Sequence, residues 1–185
     1  MNKVILDMSM SLDGFISVPT DDDFALHNWY FNPAPASAKV IEEIITDTGV
    51  IIMGNNTFKS GDSMGAYEQE NPYKVPHIVI SHEVPDTKPK GNTKFIFITE
   101  GIEKSLLLAK ELAGEKDVII GGGASIAQQF LKAGLIDEIQ IHLVPKLFGK
   151  GKRLFPEDKY QLPNLKVIRT VESVGVTHLR YSVEK

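Results

Sequence analysis

The stretch Val118-Ile119-Ile120-Gly121-Gly122-Gly123-Ala124-Ser125-Ile126 constrains the fold more than any other in the chain. An apolar run suited to a buried strand stops at three glycines, and a helical pattern over residues 124–133 starts at once. Glycines at such a joint leave the backbone bare of the Cβ atoms that would keep a ligand away. The N–H groups of the helix's first turn have no intrahelical acceptor, and they favour an anion such as a pyrophosphate. Two readings stay open here: a seat for a nucleotide or phosphorylated small molecule, or a tight turn that packs helix against sheet.

The flanking patterns embed this joint in an α/β chain. Residues 4–8 read as a buried strand, continued past an Asp13-Gly14 turn into residues 15–17. Residues 19–36 read as a long irregular loop holding the aromatic cluster Trp29-Tyr30-Phe31, a length often found in lids. Residues 37–48 carry Val40, Ile41, Ile44 and Ile45 at helical spacing, with Ser37 as the N-cap. Short apolar strands follow at 50–53, 77–80 and 95–98, with a polar loop expected over 60–75. A helix over 102–113 feeds the strand at 118–120; residues 138–144 alternate as a half-buried strand, and 165–172 with 176–184 form a closing hairpin. Strands alternating with helices, then consecutive strands, predict an α/β sandwich with a mixed sheet. Without an internal repeat or linker, residues 1–185 read as one domain.

Composition excludes several classes. A net charge of −4 and a pI near 5.7 argue against nucleic-acid binding. No apolar run approaches the roughly 18 residues a membrane span requires, and Asp7 arrives too early for a signal-peptide core. With no Cys among its 185 residues, the chain has no disulfide, thiolate nucleophile or Cys-bound zinc. A cytoplasmic protein is the expectation. The Rossmann spacing fails because Ile126 stands where the third glycine belongs. Residues 149–153 lack the P-loop spacing, and no Gly-x-Ser-x-Gly elbow is present. His27, His77, His82, His142 and His178 are dispersed without metal-ligand spacing, so no metal is expected and His142 reads as structural. Asp7, inside an apolar strand, needs a partner or a cleft.

Ser11-Leu12-Asp13-Gly14-Phe15-Ile16, Met53-Gly54-Asn55-Asn56-Thr57-Phe58 and Ile120-Gly121-Gly122-Gly123 each end a strand. Together with Asp137-Glu138, Pro145, Gly149, Gly151 and Leu154-Phe155, they resemble the dihydrofolate reductase fold. Within it they are most similar to the C-terminal reductase domain of the riboflavin-biosynthesis protein RibD. The resemblance implies a three-layer fold with a mostly parallel central sheet and an antiparallel C-terminal hairpin.

It also implies an NADPH-dependent reductase, with the cofactor across the carboxyl ends of the strands. Gly54, Asn55, Asn56 and Thr57 would meet it from one side; Gly121, Gly122, Gly123, Ala124, Ser125 and Ile126 would meet it from the other. A cis peptide would join the first two glycines, and Ser81 and His82 would lie at the adenosine ribose. Asn55 stands where the family often has Arg, which opens the site to NADH as well as NADPH, since a neutral amide binds phosphate less strongly. Asp13 would serve at the substrate end as hydrogen-bond acceptor or proton relay, with an Asp-Gly turn as the alternative. Ser11, Trp29 and Met53 join it as substrate contacts, Trp29 by stacking on a planar ring, with a core or interface role as its equal alternative. Lys150, Lys152 and Arg153 could hold a substrate phosphate or form a solvated turn.

Residues 34–40 lack the helix carboxylate of true folate reductases, and Glu42 and Glu43 come one turn late. A reductase acting on a phosphoribosylamino-pyrimidine is therefore expected ahead of a folate or pteridine reductase. A nucleotide-binding protein without turnover is the other alternative. The absent cysteines exclude the zinc signature of a RibD deaminase domain, so a stand-alone reductase is expected. The resemblance implies a homodimer, formed through the C-terminal strands; the apolar alternation over 165–184 is equally consistent with an intramolecular sheet edge.

Overall fold

Valine- and isoleucine-rich runs build the centre of the molecule. The computed structural model describes residues 2–17, 25–68, 71–85, 89, 91–155 and 163–184. In chain order the elements are β1 (Val4–Ser11), β2 (Phe15–Ser17), α1 (Asn28–Phe31), α2 (Pro35–Asp47), β3 (Thr48–Gly54), α3 (Asn55–Ser63), β4 (His77–Ile80), β5 (Phe95–Ile98), α4 (Ile102–Ala113), β6 (Asp117–Ile120), α5 (Ala124–Lys132), β7 (Glu138–Val144), β8 (Lys152–Arg153), β9 (Leu165–Ser173) and β10 (Val176–Val183).

Eight strands form one sheet in the order β5-β4-β3-β6-β1-β7-β10-β9, and β2 pairs with β8 in a small ribbon. The pairings from β5 through to β7 are parallel; β7–β10 and β10–β9 are antiparallel. This is the expected mixed sheet with its closing hairpin, and the fold is dihydrofolate reductase-like.

Alternation along β1 divides the interior. Val4, Leu6 and Met8 pack with residues of α4 and α5, including Leu106, Ala109, Ala127 and Phe130. Ile5 points to the opposite face, where it packs with Met53 of β3 and Phe58 of α3. The helices after β3 and β6 therefore lie on opposite faces of the sheet. The β3–β6 border is thus a topological switch point, where ligands bind on sheets of this kind.

Three local expectations are corrected. Residues 28–31 of the expected loop form α1, while 19–24 lie outside the described residues. Residues 60–63 of the expected 60–75 loop complete α3. Ala34, not Ser37, is the N-cap of α2, because Pro35 at the first helical position has no N–H to cap. Ser37 is instead fully buried inside the first turn.

Candidate functional site

The two glycine segments meet at the switch point. Gly54 ends β3 and caps α3; Gly123 caps α5 directly after β6. The Gly54 N–H donates to the Gly122 carbonyl at 2.9 Å, and the Gly121 N–H donates to the Ile52 carbonyl at 2.9 Å. Neither helix has a side-chain cap or an acidic residue in its first turn. The first-turn N–H groups of Asn55, Asn56 and Thr57, and of Ala124, Ser125 and Ile126, therefore converge with nothing of negative charge among them.

The segments also pack on each other. A Cβ at Gly54 would lie 3.0 Å from Ile126 Cγ1, and one at Gly123 would lie 3.1 Å from Thr57 Oγ1. Thr57 and Ile126 thus hold the segments in contact in addition to offering their backbones. The cis peptide joins Gly122 and Gly123, one residue later than expected. Ser81, buried at the end of β4, donates from Oγ to the Glu83 carbonyl at 2.6 Å, while His82 is exposed. The Ser125 hydroxyl is exposed and accepts from Gln129 Nε2 at 3.2 Å.

Asp13 sits elsewhere, in the turn between β1 and β2. Its Oδ1 accepts from the Ser11 hydroxyl at 2.6 Å, and its Oδ2 accepts from the N–H groups of Phe148 at 2.9 Å and Gly149 at 2.7 Å. The Ser11 hydroxyl above all, aided by these two N–H groups, holds the carboxyl below its ordinary range. Such a carboxylate fastens the 146–149 segment to the end of β1. Ser11 is fully buried, and its Oγ also accepts from the Phe15 N–H at 2.9 Å. Arg153 belongs to the same turn: its Nη1 donates to the Asp13 carbonyl at 3.2 Å, and its guanidinium lies 4.6 Å from the centre of the Phe15 ring. Lys150 and Lys152 are exposed.

On the α2 face of the sheet the structure assembles a polar group that the dispersed histidines gave no hint of. Asp7 accepts from Gln140 Nε2 at 3.0 Å on one oxygen, and its other oxygen lies 3.2 Å from His142 Nε2. His142 Nδ1 lies 2.7 Å from His178 Nδ1, and His178 Nε2 lies 2.9 Å from Ser37 Oγ. The signal was present in the strand register. His142 and His178 are direct partners in β7 and β10, and Asp7 and Ser9 are the partners of Gln140 and His142 in β1 and β7.

Trp29 is a wall of this group, not an open lid residue. It is buried, donates from Nε1 to Ser9 Oγ at 3.0 Å, and its ring lies 4.2 Å from that of His142. Tyr30 and Tyr73, hydrogen-bonded to each other, stand close enough to Asp7 to feel its charge, and burial pushes both phenols above their ordinary value. Met53 is buried one position before Gly54, and its sulfur accepts from the Tyr67 hydroxyl at 3.6 Å.

The register ties this group to the glycines. Leu6 and Ile52 both pair with Ile120, so Asp7 and Met53 stand level with Gly121 on the strands either side of it. Asp7 also lines a narrow cleft with Asp47, Thr48, Asp117, Gln140 and Arg180, on the side towards the amino ends of β3 and β6 and away from the glycines.

Comparison with known proteins agrees with this architecture. YyaP of Bacillus subtilis, an uncharacterized protein, is 29% identical over 189 residues, covering 97% of this chain and 94% of its own. A diaminohydroxyphosphoribosylaminopyrimidine deaminase/5-amino-6-(5-phosphoribosylamino)uracil reductase from Thermotoga maritima superposes with a TM-score of 0.70 at 17% identity, over 98% of this chain and 56% of that one. Dihydrofolate reductase from Enterococcus faecalis, complexed with NADP(H), gives a TM-score of 0.63 at 18% identity over 99% of this chain and 97% of that one. The RibD C-terminal domain model matches residues 2–179, and the chain belongs to that family.

Proposed function

We propose that this chain is a nicotinamide-dependent reductase that works as a homodimer and binds NADPH, or NADH, across the β3–β6 border. The observation that carries this reading is the pair of glycine-capped helix starts, joined by the Gly54–Gly122 hydrogen bond and free of acidic residues in their first turns. That donor set fits a pyrophosphate: backbone N–H groups of two helices, the Thr57 hydroxyl and the amides of Asn55 and Asn56. The family membership and the NADP(H) held by the Enterococcus faecalis enzyme support the same ligand. Ser81 and His82, on the strand beyond β3, are placed for the adenosine end. Asn55 brings no positive charge, so discrimination between NADPH and NADH is weak in this proposal.

When bound, the nicotinamide supplies a hydride. The chain's own residues orient the reacting partners and exclude water. The glycine loop admits the cofactor close to the backbone, and Met53, Tyr30, Tyr73 and Trp29 wall the side of the sheet where Asp7 points. Asp13 and Ser11 hold the loop at the end of β1 and, as acceptors, remain candidates for contact with substrate. The substrate class is a phosphoribosylamino-pyrimidine or a related pyrimidine- or pteridine-like compound, in line with the activity named for the Thermotoga maritima protein.

Fluorescence titration with NADPH and NADH tests the binding. Oxidation of bound NADPH by 5-amino-6-(5-phosphoribosylamino)uracil and by dihydrofolate then tests the substrate class. Binding with turnover of the first compound is the expected result; turnover of dihydrofolate alone would move the chain to the folate reductases.

A further inference from the structure

Residues 146–153 read Lys-Leu-Phe-Gly-Lys-Gly-Lys-Arg: four cations and no acid, in a chain whose net charge is −4. This basic segment is folded onto the molecule. The Leu12 N–H donates to the Lys146 carbonyl at 2.9 Å, and the Leu154 N–H donates to the Gly14 carbonyl at 3.2 Å. Asp13 holds the N–H groups of Phe148 and Gly149. At Gly151 the backbone stands at φ +140°, and an added Cβ would lie 2.2 Å from the Ser17 carbonyl oxygen, so the loop is pressed against β2. On its other side, Gln128 of α5 donates from Nε2 to the carbonyls of Arg153 at 3.0 Å and Leu154 at 3.2 Å.

The charges are placed for an anion. Arg153 is exposed but fixed twice, by the bond from Nη1 to the Asp13 carbonyl and by its seat over the Phe15 ring. A guanidinium held in this way, with further N–H groups in its planar fork, suits bidentate recognition of a phosphate. Lys150 and Lys152 flank Gly151, both are exposed, and among the described residues neither has a carboxylate partner. Lys3, Arg169 and Arg180, by contrast, are each paired with a glutamate. The one carboxylate in the turn, Asp13, has both oxygens engaged, by the Ser11 hydroxyl and by the loop's own N–H groups.

We propose that Lys150, Lys152 and Arg153 seat a phosphate monoester carried by the substrate. The proposal rests on the reductase reading. Position decides whose phosphate it is. β1 adjoins β6 and α5 begins directly after Gly123, so a loop bonded to the end of β1 and to α5 borders the glycine joint. It does so on the β1 side, whereas β4, which leads to Ser81 and His82, lies beyond β3 on the other side. In the proposed cofactor pose the pyrophosphate is served by the glycine segments, and the adenosine end points away from the loop. The phosphate left for residues 150–153 is therefore the substrate's. Charge supplies most of the attraction, so the contact acts on substrate affinity and is screened by salt.

Amide 1H–15N spectra of the labelled protein test the seat without cofactor, with ribose 5-phosphate and ribose as probes. Ribose 5-phosphate should shift the amides of residues 149–153 saturably, and less so at high salt; ribose should leave them in place. Lys150→Gln together with Lys152→Gln should weaken that binding about tenfold or more. Arg153→Gln is the second variant, and should do the same while also freeing the Asp13 carbonyl. In turnover by the wild type, 5-amino-6-(5-phosphoribosylamino)uracil is compared with its dephosphorylated form. Loss of the phosphate should raise KM about tenfold or more and change kcat little, and this preference should collapse in the double lysine variant. Equal shifts with ribose, or shifts spread over lysines elsewhere, overturn the seat. A drop in NADPH affinity by the same factor in the double variant gives the loop to the cofactor's phosphates and overturns its assignment to the substrate. Failure of NADPH to bind the wild type overturns the reductase reading instead, and the ribose 5-phosphate spectra then decide the seat by themselves.

Discussion

At Gly122 the backbone stands at φ +145°, and an added Cβ would meet Thr57 Cγ2 at 2.9 Å. Both the unfavourable φ and the contact oppose any side chain there. Gly122→Ala should destabilise the protein by about 1–3 kcal/mol in urea unfolding and weaken NADPH binding about tenfold or more, because the shift falls on the loop that receives it. Thr57→Ser in the same chain removes the crowding methyl and should recover part of both losses. Asp13 calls for a different measurement. Its three acceptor contacts tie the end of β1 to residues 148 and 149. Asp13→Asn should therefore speed amide exchange at Phe148 and Gly149.

His178 gives a pH prediction. Its native pKa is lowered from 6.5 to about 4, so below the unfolded value the unfolded chain binds a proton that the native chain refuses. Its stabilising effect is complete above about pH 6.5 and is lost as pH falls towards about 4. His77, lowered by burial, adds in the same direction. Tm should fall across that window, and His178→Gln should flatten the fall without abolishing it. These histidines also show where residue-level legibility ended. Asp7 could be flagged because a lone carboxylate in an apolar strand demands a partner. His142 and His178 could not be paired, because 36 positions separate them and only the β7–β10 register brings their rings together.

Among the elements, β9 is the one left incomplete. It is one of the two edge strands of the sheet, β5 being the other, and its Leu165, Val167 and Ile168 are exposed to 44%, 61% and 49%. An apolar, unpaired edge invites a further chain, and in the proposed homodimer a second copy covers it. Sedimentation should show a dimer at micromolar concentration, with Val167→Glu and Ile168→Glu together giving a folded monomer. A wild-type monomer at that concentration would remove the dimer from the account. The strands and long helices were legible because period-2 and period-3.6 patterns are local and survive without the rest of the chain. Polar segments were less so. The sequence Asn55-Asn56-Thr57-Phe58-Lys59-Ser60-Gly61-Asp62-Ser63 is a helix with a single buried residue, Phe58, and carries too little apolar periodicity to announce its full length. For Trp29 the core reading agrees with its burial and its contacts with Ser9 and His142; α1 is one turn long, too short for a helical pattern to have decided the matter in the sequence.

For the molecule as a whole, the functional consequence lies in topology. Sending α3 and α5 to opposite faces opens the carboxyl end of the sheet at β3–β6 and brings two helix starts together there, the place where sheets of this kind take ligands. The α2 face carries the polar group of Asp7, His142 and His178, with Asp7 at the same level of the sheet as Gly121. Three strand-end motifs located the first half of this arrangement in the sequence, since glycine has few other reasons to recur at strand ends. The second half was hidden, because it comes from side chains on β1, β7, β10 and α2 that only the strand order makes neighbours. The central claim is that the paired glycine segments hold a nicotinamide dinucleotide. Calorimetric titration of the wild-type chain and Gly122→Ala with NADPH tests it most directly. Saturable one-site binding to the wild type, weakened about tenfold or more in the variant, is the predicted result. No heat of binding to the wild type at millimolar NADPH or NADH, or equal affinity in the two proteins, would contradict it.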